Sequence, residues 1–302
     1  MAEAIAAIDC GTNTARLLIS RDGRDLVRRE VVTRLGADLE RTHELAPAAL
    51  DRLGAALGGF AEELGRHGVA TPRVVATSAA REATNRQMLV DLVQHHLHVD
   101  LEVLTGEEEA ALSFAGAVAG LDPADGPFCV VDIGGGSTEF AVGSTGPPET
   151  MSLDMGSVRF TERYVESDPP APEELLACLS VAEAYLSDLV RAIPAAADAG
   201  TYLAVAGTAV TMAAVEIGCE PDDTDLIHGF RLERAAAEDV FRTLVTESLA
   251  DRRHNPGLHP DRAEVIVAGS ALLVETMRFL SIDELVVSVH DLLDALVAQQ
   301  AE

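Results

Sequence analysis

The chain contains no lysine. All 22 of its basic residues are arginine, they stand against 50 acidic residues, and the net charge is −28. Without lysine there can be no Walker-type phosphate loop and no Schiff-base chemistry. A body this acidic also argues against broad nucleic-acid binding, which needs a basic stripe. A polyanionic ligand would have to be met by local N–H groups, a few arginines and divalent cations, working against a repulsive field. No apolar run reaches the roughly 18 residues of a membrane span, and the N-terminus leads straight into a strand. A cytoplasmic protein without membrane or nucleic-acid partners is therefore expected. The four cysteines (Cys10, Cys129, Cys178, Cys219) show no Cys-x-x-Cys spacing and read as small hydrophobes rather than metal or redox groups. A hydrophobic content of 48% excludes disorder, and 302 residues suit two domains of about 150 residues each.

What is present is a duplication. Residues 7–17 and 130–140 each run from an apolar segment into Asp-x-Gly, through a loop of Gly, Ser, Thr and Asn, and back into an apolar segment. The pattern predicts two buried β-hairpins whose turns leave backbone N–H groups for an anion, with glycine allowing close approach. A carboxylate at the strand end can hold a metal ion against the bound phosphate.

Strand and helix signals alternate elsewhere, which indicates an α/β protein with a mixed sheet in each of two similar domains. The turn formers of residues 120–127 predict a linker, dividing the chain into residues 1–122 and 123–302. The last helix, from about Asp291, is able to pack back on the first domain. Helices are expected from Pro47, through Met88, Leu92 and Val93, from Thr105-Gly-Glu-Glu108 as a capping box, and in four further stretches of the second half.

Asp9, Gly11, Thr12, Asn13 and Thr14 form the first candidate phosphate loop, with a plain tight turn as the alternative. Gly134, Gly135, Gly136, Ser137 and Thr138 form the second; three successive glycines are entropically costly unless the backbone must approach something closely. Asp132 and Glu139 flank that loop and are candidate Mg²⁺ ligands. Gly207 and Thr208 follow a strand and precede a helix expected from Ala209, a second anion site or an ordinary N-cap. Arg81, expected in a strand-to-helix loop, is a candidate phosphate ligand or a solvated surface arginine. His95, His96 and His98 lie at a helix end, where adjacent histidines rarely converge on a metal. Among Glu107, Glu108 and Glu109, the second has a capping role and the first faces water. Glu109 precedes Ser113 and Gly116 on an open face and is the candidate general base.

In this order, Ile8-Asp9-Cys-Gly-Thr-Asn-Thr, Ala76-Thr-Ser-Ala-Ala-Arg81-Glu-Ala, Gly106-Glu-Glu-Glu109-Ala, Val131-Asp132-Ile-Gly-Gly-Gly-Ser-Thr-Glu139 and Ala206-Gly-Thr208 resemble the exopolyphosphatase / guanosine pentaphosphate phosphohydrolase family. Met155-Gly-Ser-Val-Arg159, expected to stand just before a helix, resembles it too. The resemblance implies two ribonuclease-H-like domains of the actin, sugar kinase and heat-shock chaperone ATPase superfamily, enclosing a cleft. It implies Glu109 as the catalytic glutamate, Asp132 and Glu139 as the pair organising Mg²⁺ (or Mn²⁺), and both loops as phosphate cradles. The implied reaction is attack of water on a terminal phosphoryl group of polyphosphate, with the 5′-phosphate of guanosine pentaphosphate as the alternative; the net charge and the lack of lysine make short chains the expected substrate. A kinase of the same superfamily and a non-catalytic polyphosphate or nucleotide sensor are weaker readings, and a homodimer is left open. Longer members carry a C-terminal helical domain that this chain lacks by residue 302. Ser288-Val-His290-Asp291-Leu stands where the family commonly has a Gly-Leu-Arg-Glu-Gly ending.

Overall fold

In the computed structural model, which describes residues 3–144 and 146–301, both copies of the duplicated motif form strand pairs. The first unit holds β1 (Ile5–Cys10), β2 (Thr14–Arg21), β3 (Arg24–Val32), β4 (Arg73–Ala76) and β5 (Leu101–Val103), ordered β3-β2-β1-β4-β5. β1, β2 and β3 are antiparallel, and β4 and β5 run parallel to β1. The Asp22-Gly23 tip between β2 and β3 has φ of 52° and 72°, the geometry that matches a two-residue hairpin turn to strand twist.

The alternation of side chains gives this sheet two apolar faces. Ala6, Ile8, Cys10, Leu17 and Ile19 pack with Leu53, Leu57 and Phe60 of the helix Pro47–His67. Ala7, Leu18 and Val75 pack with Leu104 and Leu112 and with Leu292, Leu293 and Leu296 of the last helix, Leu292–Ala301. That helix is further tied to the sheet by an ion pair of 2.6 Å between Arg28 and Asp294.

The second unit holds β6 (Phe128–Ile133), β7 (Thr138–Gly143), β8 (Glu149–Leu153), β9 (Thr201–Val205), β10 (Arg231–Glu233) and β11 (Glu284–Val287), ordered β10-β11-β9-β6-β7-β8. Read from its other edge, β8-β7-β6-β9-β11 repeats the first sheet's order, with β10 added antiparallel to β11. Both are ribonuclease-H-like α/β sheets. Cys129, Val131, Ile133 and Phe140 face a core in which the helix Ile266–Phe279 is buried almost all round.

Contacts gather residues 1–112 with 292–302 into the first unit and 113–291 into the second. The boundary falls inside the helix Gly106–Val118, while the turn-rich stretch after it forms a 3-10 turn, Pro123–Asp125. Among the described residues no helix is long and apolar enough to cross a membrane.

Three local expectations are corrected. Ser78–Arg81 is not a loop but most of a short helix, Ser78–Glu82, in which the good helix formers Ala79 and Ala80 follow β4 with Thr77 as the N-cap residue between. The helix after β9 begins at Ala206, not Ala209: Ala206 takes φ 63° and turns strand into helix in one residue, so Gly207 and Thr208 lie in the first turn. A helix Ser157–Tyr164 begins at the segment that was expected only to precede one.

Arg252 is a buried arginine that donates to the main-chain carbonyls of Leu244, Glu247 and Ala263 at 2.8, 2.8 and 2.9 Å. Arg252→Met keeps the stem but leaves those carbonyls without their donor, and is expected to cost on the order of 3 kcal/mol. The denaturant midpoint of the variant against that of the parent checks this.

Candidate active site

The glycine loop of the second unit is held from behind by its carbonyls. Gly134 O accepts from Ser157 N–H at 2.9 Å, and Gly135 O from Val158 and Arg159 N–H at 2.8 and 3.2 Å. Gly136 O accepts from Arg159 Nε at 2.7 Å. A trans peptide places each C=O opposite the next residue's N–H. With three successive carbonyls turned toward residues 157–159, the amides of Gly135, Gly136 and Ser137 are turned away from them. Those of Gly135 and Gly136 donate to no acceptor among the described residues. Successive outward amides in such a turn make an anion cradle. Gly156 permits the arrangement, since a Cβ there would fall 2.4 Å from Gly135 O.

The first unit repeats the device. Gly11 N–H donates to Thr14 O at 2.9 Å, as Gly134 N–H does to Ser137 O at 3.0 Å. Thr12 O accepts from Gly36 N–H, and Asn13 O from Thr33 and Arg34 N–H, all at 2.8–2.9 Å. The amides of Thr12 and Asn13 donate to no acceptor among the described residues. In each unit, then, the segment following the third strand grips the carbonyl side of the first hairpin's loop.

The two hairpins differ in charge at one pair of positions. Asp9 faces Arg16 across β1 and β2, and Arg16 binds it through Nε and Nη2 at 3.1 and 2.8 Å. At the corresponding register of β6 and β7, Asp132 faces Glu139. Asp132 is 6% and Glu139 1% exposed. Ser113 Oγ donates to Asp132 at 2.6 Å and Ser152 Oγ to Glu139 at 2.8 Å. Like charges placed opposite one another on neighbouring strands repel, and a hard divalent cation shared by two carboxylates relieves that. Mg²⁺ is commonly held by one or two carboxylates, with water and substrate phosphates completing its shell. The oxygen donors at Asp132 and Glu139 fit it; the Asp9–Arg16 pair does not. Among the described residues no group of three or more His, Cys, Asp or Glu side chains is close enough to form a metal site alone, His95, His96 and His98 included.

Glu108 and Thr105 form the expected capping box: Thr105 N–H donates to Glu108 at 2.8 Å, and Glu108 N–H to Thr105 Oγ1 at 3.2 Å. Glu107 is exposed. Glu109 accepts from Arg81 Nη1 at 2.7 Å, and the same nitrogen donates to Leu104 O at 3.0 Å. The face beyond Glu109 is not open, which corrects the expectation from small residues. Ser113 is buried on Asp132, and Gly116 lies against the main chain of Asp291, where a Cβ would come within 1.8 Å of its carbonyl oxygen.

Several candidate side chains are engaged in building the loops. Thr138 Oγ1 donates to Met155 O, and Thr208 Oγ1 donates to Ile133 O at 3.3 Å, just before the glycine run. Gly207 carries the guanidinium of Arg262 against it, with Nη1 1.8 Å from where a Cβ would stand. Arg16, Arg159, Arg262, Ser113 and Ser152 were not singled out in the sequence as site residues. The one available signal was the resemblance of Met155–Arg159, which carried no role.

A curated relative, exopolyphosphatase 2 of Mycobacterium tuberculosis, is 38% identical, covering 98% of each chain. The crystal structure of an exopolyphosphatase-like protein superposes with a TM-score of 0.93 at 35% identity, covering 98% of each chain. A guanosine-5′-triphosphate,3′-diphosphate pyrophosphatase of Vibrio atlanticus is 29% identical over 93% of this chain and 56% of its own. The family model for Ppx/GppA phosphatases matches residues 19–295, which take in the second hairpin, its clamp and the Arg81–Glu109 pair, and the chain belongs to the Ppx/GppA phosphatase family.

Proposed function

We propose that this chain is an exopolyphosphatase, releasing terminal orthophosphate from inorganic polyphosphate by in-line attack of water. The observation that carries the proposal is the pair of amides, Gly135 and Gly136, turned outward by a clamp on their carbonyls and given no acceptor among the described residues. Such amides suit phosphoryl oxygens, and their orientation is set before substrate arrives, which is how charge developing in a transition state is stabilised. The amides of Thr12 and Asn13 would take further phosphate oxygens, and Arg81 would supply a forked donor. Glu109 would take the proton of the attacking water. Mg²⁺, or Mn²⁺ in its place, would be held by Asp132 and Glu139, and when bound neutralises charge on phosphate oxygens.

Phosphate release measured in parallel from tripolyphosphate, long polyphosphate, guanosine pentaphosphate and ATP tests the reading. Release from neither polyphosphate would reject it. The Vibrio relative favours guanosine pentaphosphate as the second substrate to compare.

Asp132→Asn and Glu139→Gln are each expected to raise the Mg²⁺ concentration for half-maximal activity by about tenfold or more. Unchanged activity of the parent protein in excess chelator would remove metal assistance. Chain length should also matter. A long polyphosphate carries about one negative charge per phosphate and lies against a protein of net charge −28 without lysine. The expected result is a kcat/KM per chain that is highest for short oligophosphates, with a deficit on long chains that shrinks as added salt screens the repulsion. Tripolyphosphate compared with chains of hundreds of phosphates at low and high ionic strength decides it; better hydrolysis of the long chains at low salt would contradict it.

A further inference from the structure

We infer that Arg81 changes partners during turnover, leaving Glu109 for a substrate phosphate, so that substrate binding itself frees the base. The inference rests on the proposed role of Glu109. It starts from a conflict in the geometry. A general base works best when its proton affinity is near that of the medium, yet Glu109 lies 2.7 Å from a guanidinium, which stabilises its anionic form. Held this way it is a poor acceptor for a proton from water.

The mobility of the two partners is unequal. Glu109 sits in the first turn of the helix Gly106–Val118, which the Thr105–Glu108 capping box fixes at one end and the buried Ser113–Asp132 hydrogen bond fixes one turn later. Its side chain is 12% exposed, whereas that of Arg81 is 24% exposed, on a flexible stem and on a helix of only five residues. Movement therefore falls to Arg81. A terminal phosphoryl group carries more charge than one carboxylate and matches the planar fork of guanidinium, so it can compete for it. Transfer of Arg81 to phosphate removes the stabilising cation from Glu109 and brings an anion near, and both changes strengthen the carboxylate as a base. No covalent bond is made or broken in this step; Arg81 Nη1 gives up Glu109 and the carbonyl of Leu104 for phosphate oxygens.

The exchange predicts that Glu109 competes with substrate for Arg81, which a binding cycle reads without turnover. The probe is a methylene-bridged, non-hydrolysable analogue of tripolyphosphate, titrated with Mg²⁺ present into the parent protein, Glu109→Gln, Arg81→Met and the double variant by calorimetry. Glu109→Gln should bind the analogue on the order of tenfold tighter, the size of a partly exposed ion pair no longer to be broken. In the Arg81→Met background the same change should gain twofold or less. An equal gain in both backgrounds would mean plain charge repulsion by Glu109 and would overturn the exchange, as would no gain in either.

Should Arg81→Met unfold, Arg81→Lys serves, with a gain intermediate between the two backgrounds; the full gain with lysine would count against a role for the fork. Turnover of Glu109→Gln, measured alongside, separates the two levels. Retained turnover overturns the base itself, while lost turnover without coupling in the cycle overturns only the exchange.

Discussion

Glu109→Gln should lower kcat by about 10²–10⁴-fold, the usual contribution of a positioned general base. Glutamine keeps the size and the hydrogen bond to Arg81 but cannot accept the proton of water. The loss should appear in kcat and not as weaker substrate binding. Glu108→Ala is the control, since its carboxylate is occupied by the amide of Thr105; it should cost helix stability of about 1 kcal/mol and little turnover. Steady-state kinetics of both variants on tripolyphosphate decide the matter. A severe loss for Glu108→Ala with a mild one for Glu109→Gln would reverse the assignment within that helix turn.

Gly156→Ala should lower kcat/KM on the order of 10²-fold, the effect of misplacing reacting groups by about 1 Å. The added methyl group would fall 2.4 Å from Gly135 O and 2.5 Å from the carbonyl carbons of Gly135 and Gly136. All three are backbone atoms with no rotamer to relax into, so the loop must shift and its amides must re-aim. The measurement is the affinity for the non-hydrolysable analogue together with kcat/KM, with thermal melting to show that the variant is folded. Ala206→Gly makes a useful contrast. It relieves a residue at φ 63° and should leave melting unchanged or raised. Unaltered affinity in Gly156→Ala would mean that the cradle does not hold phosphate.

Much of this was legible in the residues. The duplicated Asp-x-Gly runs specified both hairpins because apolar residues, turn formers and their spacing all act locally, and Thr105–Glu108 announced its capping box for the same reason. The clamps were not legible. Gly36 and Thr12, or Arg159 and Gly136, meet only once a third strand has returned beside the first two, and nothing in the composition of residues 33–36 or 155–159 marks them as partners of a loop. Ser113 was read by its size, as leaving space, when its hydroxyl is committed to Asp132. The Asp9–Arg16 and Asp132–Glu139 contrast depends on register: seven residues separate the members of each pair, and only the pairing of the strands shows that they face one another. Arg262 reaches Gly207 from a segment far along the chain, so its place could come only from the fold.

The helix Leu292–Ala301 gives the first unit a dependence on the order of synthesis. Ala7, Leu18 and Val75 leave the ribosome early, but the leucines of the helix that covers them are made only after all of residues 113–291. At about 5–20 residues per second, that interval is roughly ten to forty seconds. Throughout it one face of the first sheet has Leu104 and Leu112 but not the last helix as cover, and is open to aggregation or to a holding chaperone. The second unit, continuous in the chain, meets no such delay. Premature termination before Leu292 would thus leave a completed second unit attached to a first unit with an exposed apolar sheet, a product that quality control can recognise by the defect at its opposite end.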